Sequence, residues 1–268
     1  MSLALHHHGP ASDLPLVLLH GFPLDSSMWD DVVSHLPDLH VVTVDAPGFG
    51  SSPAGSAVSQ ALGHPRRPAL TTYADAVADA LDRAGIGRGV VAGLSMGGYA
   101  VLALAERHRG LLAGIGLLDT RAGADDEAAR RNRLKVAEAA LGAAGSSAVA
   151  PMLEKVVGPT TLAERPEVVE RLRAALAAAP PGGIAWAQHA MANRPGRLAV
   201  LRDLEVPALV LRGAEDEMSP QAAAEEMAHA LTDVEVVVVP RAGHMSALEA
   251  PAEVAVALHR LHERAAQR

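Results

Sequence analysis

The sequence predicts an α/β fold, a mostly parallel sheet flanked by helices and interrupted by a helical insertion. Three observations carry this expectation. Short apolar runs alternate with helix-patterned segments from Leu14 to Asp119, the pattern of strands joined by crossover helices. The alternation stops after Asp119, and residues 124–201 read almost wholly as helix before strands resume. Between them, an apolar run ends in Gly93-Leu94-Ser95-Met96-Gly97-Gly98 and opens directly into an Ala/Leu-rich segment. That is a strand-to-helix turn carrying a serine.

Composition narrows the class. A chain of 268 residues with 49% hydrophobic content is sized for one large core, or one core plus a small accessory unit. A net charge of −8 without a Lys/Arg stripe argues against nucleic acid or an anionic membrane as partner. No apolar run reaches the length of a membrane span, and no charged-then-apolar leader opens the chain. There is no cysteine, which excludes disulfides and thiol catalysis and is compatible with a reducing cytoplasm. The few aromatic residues are Phe22, Trp29, Phe49, Tyr73, Tyr99 and Trp186, and several flank the motifs below. Nothing in the sequence signals an oligomeric state.

In order, residues 1–13 read as a flexible tail, and their His6-His7-His8 run as part of it rather than as a metal site. Leu14–Leu19 is a strand ending at His20-Gly21-Phe22-Pro23. Asp25-Ser26-Ser27 offers N-caps for a helix through Leu36. Val41–Val44 is the next strand, ending in Asp45-Ala46-Pro47-Gly48-Phe49-Gly50-Ser51-Ser52, a turn expected to pack under the serine turn. Residues 51–70 lack periodicity and read as a long surface loop. A helix from Thr72 to about Gly85, the serine strand and its helix, and a strand over 111–118 follow. After the insertion come strands at 207–213 and 234–239, a helix opened by Ser219-Pro220, and a last helix from Pro251. The organisation expected is a core of residues 14–119 and 202–268 and a helical cap of residues 120–201.

The chemistry centres on Ser95. Gly-x-Ser-x-Gly on a sharp strand-to-helix turn leaves the hydroxyl exposed at the top of the sheet, and side chains at Gly93 or Gly97 would collide with neighbouring backbone. A serine hydroxyl needs a base to take its proton and a third group to hold that base. His244 follows the 234–239 strand on a loop and is the expected base; His20, also at a strand end, is expected to be structural. Asp216, three residues past the glycine that ends the preceding strand, is the expected acid. Glu215 and Glu217 are expected to face water. Asp119, at the end of the strand after the serine helix, is the alternative acid, expected instead to hydrogen-bond in the cap hinge. The backbone N–H groups of Phe22 and Met96 are the expected oxyanion donors. Along 183–193, Trp186, His189, Ala190 and Asn193 form one helical stripe and Ile184, Ala187 and Met191 another. The first is the candidate wall of the substrate pocket with Met245, the alternative being that Trp186 fills the interior between cap helices, and the second is expected to pack within the cap.

Ser95, Asp216 and His244 in that order, with His-Gly-Phe-Pro upstream, Asp-x-Pro-Gly-Phe-Gly-x-Ser next and a helical insertion before the acid, resemble the α/β-hydrolase superfamily over nearly the whole chain. The phrases His-Gly-Phe-Pro-Leu-Asp and Gly-Leu-Ser-Met-Gly-Gly resemble those of small capped bacterial esterases and 3-oxoadipate enol-lactonase-like proteins. The resemblance implies an α/β-hydrolase fold and a serine hydrolase acting on a small-molecule ester or lactone, with no metal or organic cofactor. A serine at the turn, where dehalogenases and epoxide hydrolases of the superfamily carry aspartate, argues against those chemistries. The same side chains would also serve a carbon–carbon bond hydrolase or a perhydrolase, and a non-catalytic binding protein on this fold is the third alternative.

Overall fold

Strands covered on both faces by helices have no solvent face, so they read as continuous apolar runs rather than alternating ones. Five strands of this protein are of that kind: β2 (Leu16–Leu19), β3 (Val41–Val44), β4 (Gly89–Leu94), β5 (Leu112–Leu118) and β6 (Ala208–Gly213), each buried throughout. The computed structural model describes residues 2–268. It arranges the strands in one seven-stranded sheet in the order β1-β3-β2-β4-β5-β6-β7, where β1 is Leu5–His8 and β7 is Val234–Val239. Every pairing is parallel except that of β1 with β3. β7 is an edge strand, and its Val236 and Val238 are about half exposed.

The helices are α1 (Asp30–Ser34), α2 (Gly55–Ala61), α3 (Leu70–Arg83) and α4 (Met96–Arg107), all before β5. Between β5 and β6 lie α5 (Glu127–Leu141), α6 (Leu153–Val156), α7 (Pro159–Glu164), α8 (Pro166–Ala178), α9 (Pro181–Ala192) and α10 (Leu198–Arg202). After β6 come α11 (Gln221–Ala230), α12 (Ser246–Glu249) and α13 (Pro251–Ala266). The parallel sheet of an α/β fold, with the long helical interruption after β5, is the architecture the sequence predicts. No helix among the described residues is long and apolar enough to cross a membrane.

Four local expectations are corrected. Within the segment 1–13 expected as a flexible tail, the described residues 2–13 include a strand: Leu5–His8 pairs with Val41–Val44, and Leu3 is buried. The three histidines hid this strand because polar partners replace apolar packing. His6 meets the Asp45 carboxylate at 3.0 Å, His7 stacks on His40 and His8 meets Thr43 Oγ1 at 3.3 Å. The 51–70 segment is not all loop, since α2 lies within it. No side chain caps that helix, and Val58 is its one fully buried large apolar residue, so no periodicity announces it. The helix expected through Leu36 is a 3₁₀ turn at Ser26–Trp29 running into the short α1; Asp25 does cap it, accepting from Ser27 N at 3.0 Å.

The fourth correction concerns α9. Its Trp186 does not wall a pocket: the indole fills the place that a Cβ at Gly55 would occupy, at 2.3 Å, and so joins α9 to the start of α2. His189 is half-buried, and Asn193 on the same stripe accepts from Arg67 at 2.8 Å, facing the 51–70 segment. The helix is turned so that Met191, from the stripe expected to be dry, faces the site described below. Tertiary contact with a helix the sequence did not announce fixed that rotation.

With 7% of its surface exposed, Trp186 is a packing residue. Trp186→Ala is expected to destabilise the fold by about 3–5 kcal/mol, the usual range for a buried tryptophan, with losses of activity that do not depend on acyl size. Thermal unfolding and a chain-length series of esters check both parts; a change confined to one acyl length would restore Trp186 to the pocket.

Candidate active site

The serine turn is built by crowding. Ser95 has φ 52° and ψ −107°, a left-handed backbone uncommon outside glycine. A Cβ on Gly93 would stand 2.2 Å from Gly97 C, and one on Gly97 would stand 2.1 Å from Leu19 O. Both glycines are needed for β4, α4 and the end of β2 to approach so closely. The turn is pinned to the neighbouring strand end as well: Ser95 N donates to Leu118 O at 2.9 Å, and Thr120 Oγ1 donates to Ser95 O at 2.8 Å.

Three loop residues converge on this point. Ser95 Oγ lies 2.9 Å from His244 Nε2, and His244 Nδ1 lies 3.0 and 3.1 Å from the two carboxylate oxygens of Asp216. With its proton on Nδ1 the imidazole donates to Asp216 and accepts from the serine. His244 and Asp216 are both buried, whereas Ser95 is partly open. Burial works against the imidazolium, but the hydrogen bond and charge of Asp216 outweigh it and hold His244 above its ordinary pKa of 6.5. Asp216 is itself fixed by the N–H groups of Met218 and Ser219 at 2.8 and 3.0 Å.

Asp119 is close by, yet it occupies a different place. One oxygen accepts from Gly213 N at 2.8 Å and the other from the Ser246 hydroxyl. It therefore ties the end of β6 to the loop after His244 rather than to the cap hinge. Fully buried and beside the charge of Asp216, its carboxyl titrates well above the usual range. The imidazole hydrogen bond goes to Asp216.

Phe22 and Met96 flank the serine. Met96 is the first residue of α4, where an N–H has no partner within the helix, and Phe22 lines the same cavity as Ser95. Neither N–H donates to another protein group among the described residues. His20 is structural in its contacts: Nδ1 donates to Gly21 O at 3.0 Å and Nε2 accepts from Ala46 N at 2.9 Å. Asp45 accepts from Ser26 N and Ser51 N, folding the 45–52 turn beneath Phe22, whose ring meets Phe49 edge-on.

The cavity over Ser95 measures about 30 Å³ and is lined by Phe22, Tyr99, Met152, Met191, Met218 and His244 together with Arg121 and Arg133. Trp186, His189 and Met245, the pocket residues expected from sequence, are not in this lining. Met245 is buried beneath the histidine loop and donates its N–H to Val156 O and to Glu249. Larger hollows lie elsewhere, but Ser95 and His244 open only onto this one among those described.

Sequence reasoning missed Glu249. Its buried carboxylate accepts from Gly243 N at 3.0 Å and Met245 N at 3.1 Å, the two N–H groups flanking His244. It also accepts from Gly158 N at 2.9 Å and Thr161 Oγ1 at 2.6 Å, which belong to the helical insertion. Glu215, expected in water, instead accepts from the N–H and hydroxyl of Thr160. A glutamate two residues before a proline-started helix carries no distinctive sequence signal, so only the fold exposes these roles.

A parallel sheet, a serine on a crowded strand-to-helix turn and a histidine held by an acid from the next loop define a hydrolase-fold protein. The chain belongs to the alpha/beta hydrolase fold family, which it matches over residues 15–251. Across 258 residues it is 31% identical to a pimeloyl-[acyl-carrier protein] methyl ester esterase of Aromatoleum aromaticum, covering 90% of this chain and 95% of that protein. It is similar to the solved structure of a thermophilic esterase from Thermogutta terrifontis with malate bound, with 36% identity, a TM-score of 0.90, and coverage of 98% and 93% of the two chains. The enol-lactonase of Burkholderia xenovorans shares the fold at TM-score 0.84 and 24% identity, over 97% and 95% of the chains.

Glu249→Ala leaves three buried N–H groups and a hydroxyl without their acceptor and is expected to cost about 2–4 kcal/mol. Glu249→Gln, which keeps one acceptor oxygen, is expected to cost less. Urea unfolding of the two variants checks the order, and equal stabilities would remove Glu249 from this role.

Proposed function

We propose that the protein is a serine hydrolase of small carboxylic esters or lactones, working through an acyl-enzyme. The observation that carries this reading is the unbroken hydrogen-bonded line from Asp216 through His244 to a serine held in a left-handed backbone. The esterase relatives support the reaction class.

Ser95 Oγ attacks the carbonyl carbon as its proton passes to His244 Nε2, and the imidazolium that forms is stabilised by Asp216. The carbonyl oxygen becomes an oxyanion and is met by the N–H groups of Phe22 and Met96, which have no other acceptor in the protein among the described residues. Collapse expels the alkoxide, which takes the proton from His244. Water then enters, gives its proton to His244 and attacks the acyl-enzyme, releasing the acid and restoring the serine. No step calls for a metal or an organic cofactor. The segment 120–201 acts as a cap that closes the chamber over Ser95 with Met152 and Met191. Unbranched thioethers adapt their rotamers readily, so a chamber of about 30 Å³ opens to a small acyl group by side-chain movement. The cysteine-free composition fits a reducing compartment, and we place the protein in the cytoplasm.

Ser95→Ala is expected to lower kcat by at least about 10³-fold while the fold is kept; circular dichroism and p-nitrophenyl ester hydrolysis measure the two. Wild-type-like hydrolysis by the folded variant would end this mechanism.

The pH profile follows from the base. Protonated His244 cannot accept the serine proton, so kcat/KM rises with pH through the His244 pKa. Because Asp216 holds that pKa up, the midpoint is expected above 6.5. Asp216→Asn removes the stabilising charge and is expected to lower kcat/KM more than Asp119→Asn does. The opposite ranking would make Asp119 the acid.

A further inference from the structure

The wall of the serine chamber is unexpectedly cationic. Arg121, just after β5, and Arg133, on α5, both line the small cavity that holds Ser95 and His244. Arg194 stands behind them, its guanidinium carbon 3.9 Å from the centroid of the Tyr99 ring, and Tyr99 lines the chamber too. All three arginines converge on one carboxylate, Asp125, whose side chain is fully buried.

That single carboxylate does not serve them equally. Arg194 approaches Asp125 Oδ1 at 2.8 Å and also donates to the carbonyls of Met191 and Gly123. Arg133 gives its Nε to the other oxygen, leaving Nη1 with only long contacts of 3.3 Å to Gln188 and 3.4 Å to the Met191 sulfur. Arg121 has the Tyr99 hydroxyl as a neighbour and reaches Asp125 at 3.4 Å, the long end of hydrogen bonding, while its buried Nε has no partner. The next acid near Arg121, Asp126, is exposed and spends its carboxylate capping α5. Three guanidinium groups therefore share one buried carboxylate, and the two least completely paired are those of the arginines that line the chamber.

A guanidinium presents a fork of N–H donors, and burying those donors without an acceptor is costly. A structural role accounts for Arg194 and for the Nε of Arg133, but not for the rest. A carboxylate placed between Arg121 and Arg133 would satisfy the unspent donors and balance the charge.

We infer that the substrate carries a carboxylate of its own, apart from the scissile ester, and that Arg121 and Arg133 hold it while Asp125 positions Arg133. The substrate class is then the half-ester of a short dicarboxylic acid. This inference rests on the serine-hydrolase reading and narrows it. The anion fixes which end of the substrate enters first and so presents the ester carbonyl to Ser95. A neutral ester of equal length lacks this anchor.

The test compares monomethyl esters of straight-chain dicarboxylic acids with methyl esters of alkanoic acids of the same length. One charge-assisted contact pair predicts a preference in kcat/KM of about tenfold to hundredfold for the half-ester. Arg121→Gln and Arg133→Gln should each reduce that preference, chiefly through KM, and Arg121→Lys should retain part of it. Free dicarboxylates should inhibit the wild-type protein more strongly than monocarboxylates of the same length. If an arginine variant does not fold, this inhibition series on the wild-type protein decides the question. Equal rates for the two ester series, or a preference that survives both glutamine substitutions, would overturn the subsite. Labelling of Ser95 by a fluorophosphonate keeps the two readings apart. A labelled serine without anionic preference removes the subsite alone, and an unlabelled one removes the mechanism and the subsite together.

Discussion

Everything at the carboxyl edge of this sheet depends on how closely β4 and α4 approach each other around Ser95. With Gly93 and Gly97 lacking side chains, the backbone of α4 rests against the ends of β4 and β2, and Ser95 is held where few residues sit willingly. That conformation persists because its surroundings over-determine it. Ser95 N is tied to Leu118, its carbonyl to Thr120, and the first turn of α4 begins immediately after it. The same geometry that strains the serine also leaves the Met96 N–H without a helical partner, so the proposed nucleophile and the proposed oxyanion donor come from one constraint.

The loops that meet at that serine are held by buried carboxylates as well as by apolar packing. Asp45 gathers the backbone of the first two loops, Asp119 joins β6 to the histidine loop, Asp216 fixes its own turn, and Glu249 clamps both sides of His244. Each accepts backbone N–H groups that would otherwise be buried without partners. Glu249 also binds Gly158 and Thr161, so the position of His244 is coupled to the helical segment between β5 and β6. Burial and the neighbouring charge of Asp216 raise Asp119 above the usual carboxylate range, although the hydrogen bonds it accepts from Ser246 and Gly213 pull the other way.

Much of this was legible in the sequence, and the reasons are local. The doubly covered strands announced themselves as apolar runs, and the serine turn by glycines whose crowding allows no alternative. The meeting of Ser95, Asp216 and His244 could be anticipated because each follows a strand end. What stayed hidden depended on contacts between distant segments. The β1 strand is disguised by polar pairings with Asp45, His40 and Thr43, and α2 by a short helix whose partner is Trp186. The rotation of α9 put Met191 rather than Trp186 on the chamber, and no periodicity distinguishes one stripe from the other. The arginine wall stayed hidden too, because Arg133 stands in a block of bases that follows Asp125-Asp126-Glu127, and acids then bases along a helix look like a solvated face. Only the burial of Asp125 shows that this charge is turned inward.

The central claim is that catalysis passes through an ester on Ser95, and the most direct measurement is the mass of the chain during turnover. An activated ester mixed with the protein and quenched in acid within the first turnover should leave one acyl group per chain. Peptide mapping should place it on the segment containing Ser95, with none formed when His244 is replaced by alanine. Turnover with an unmodified Ser95 peptide, or with the acyl group on another residue, would contradict the account.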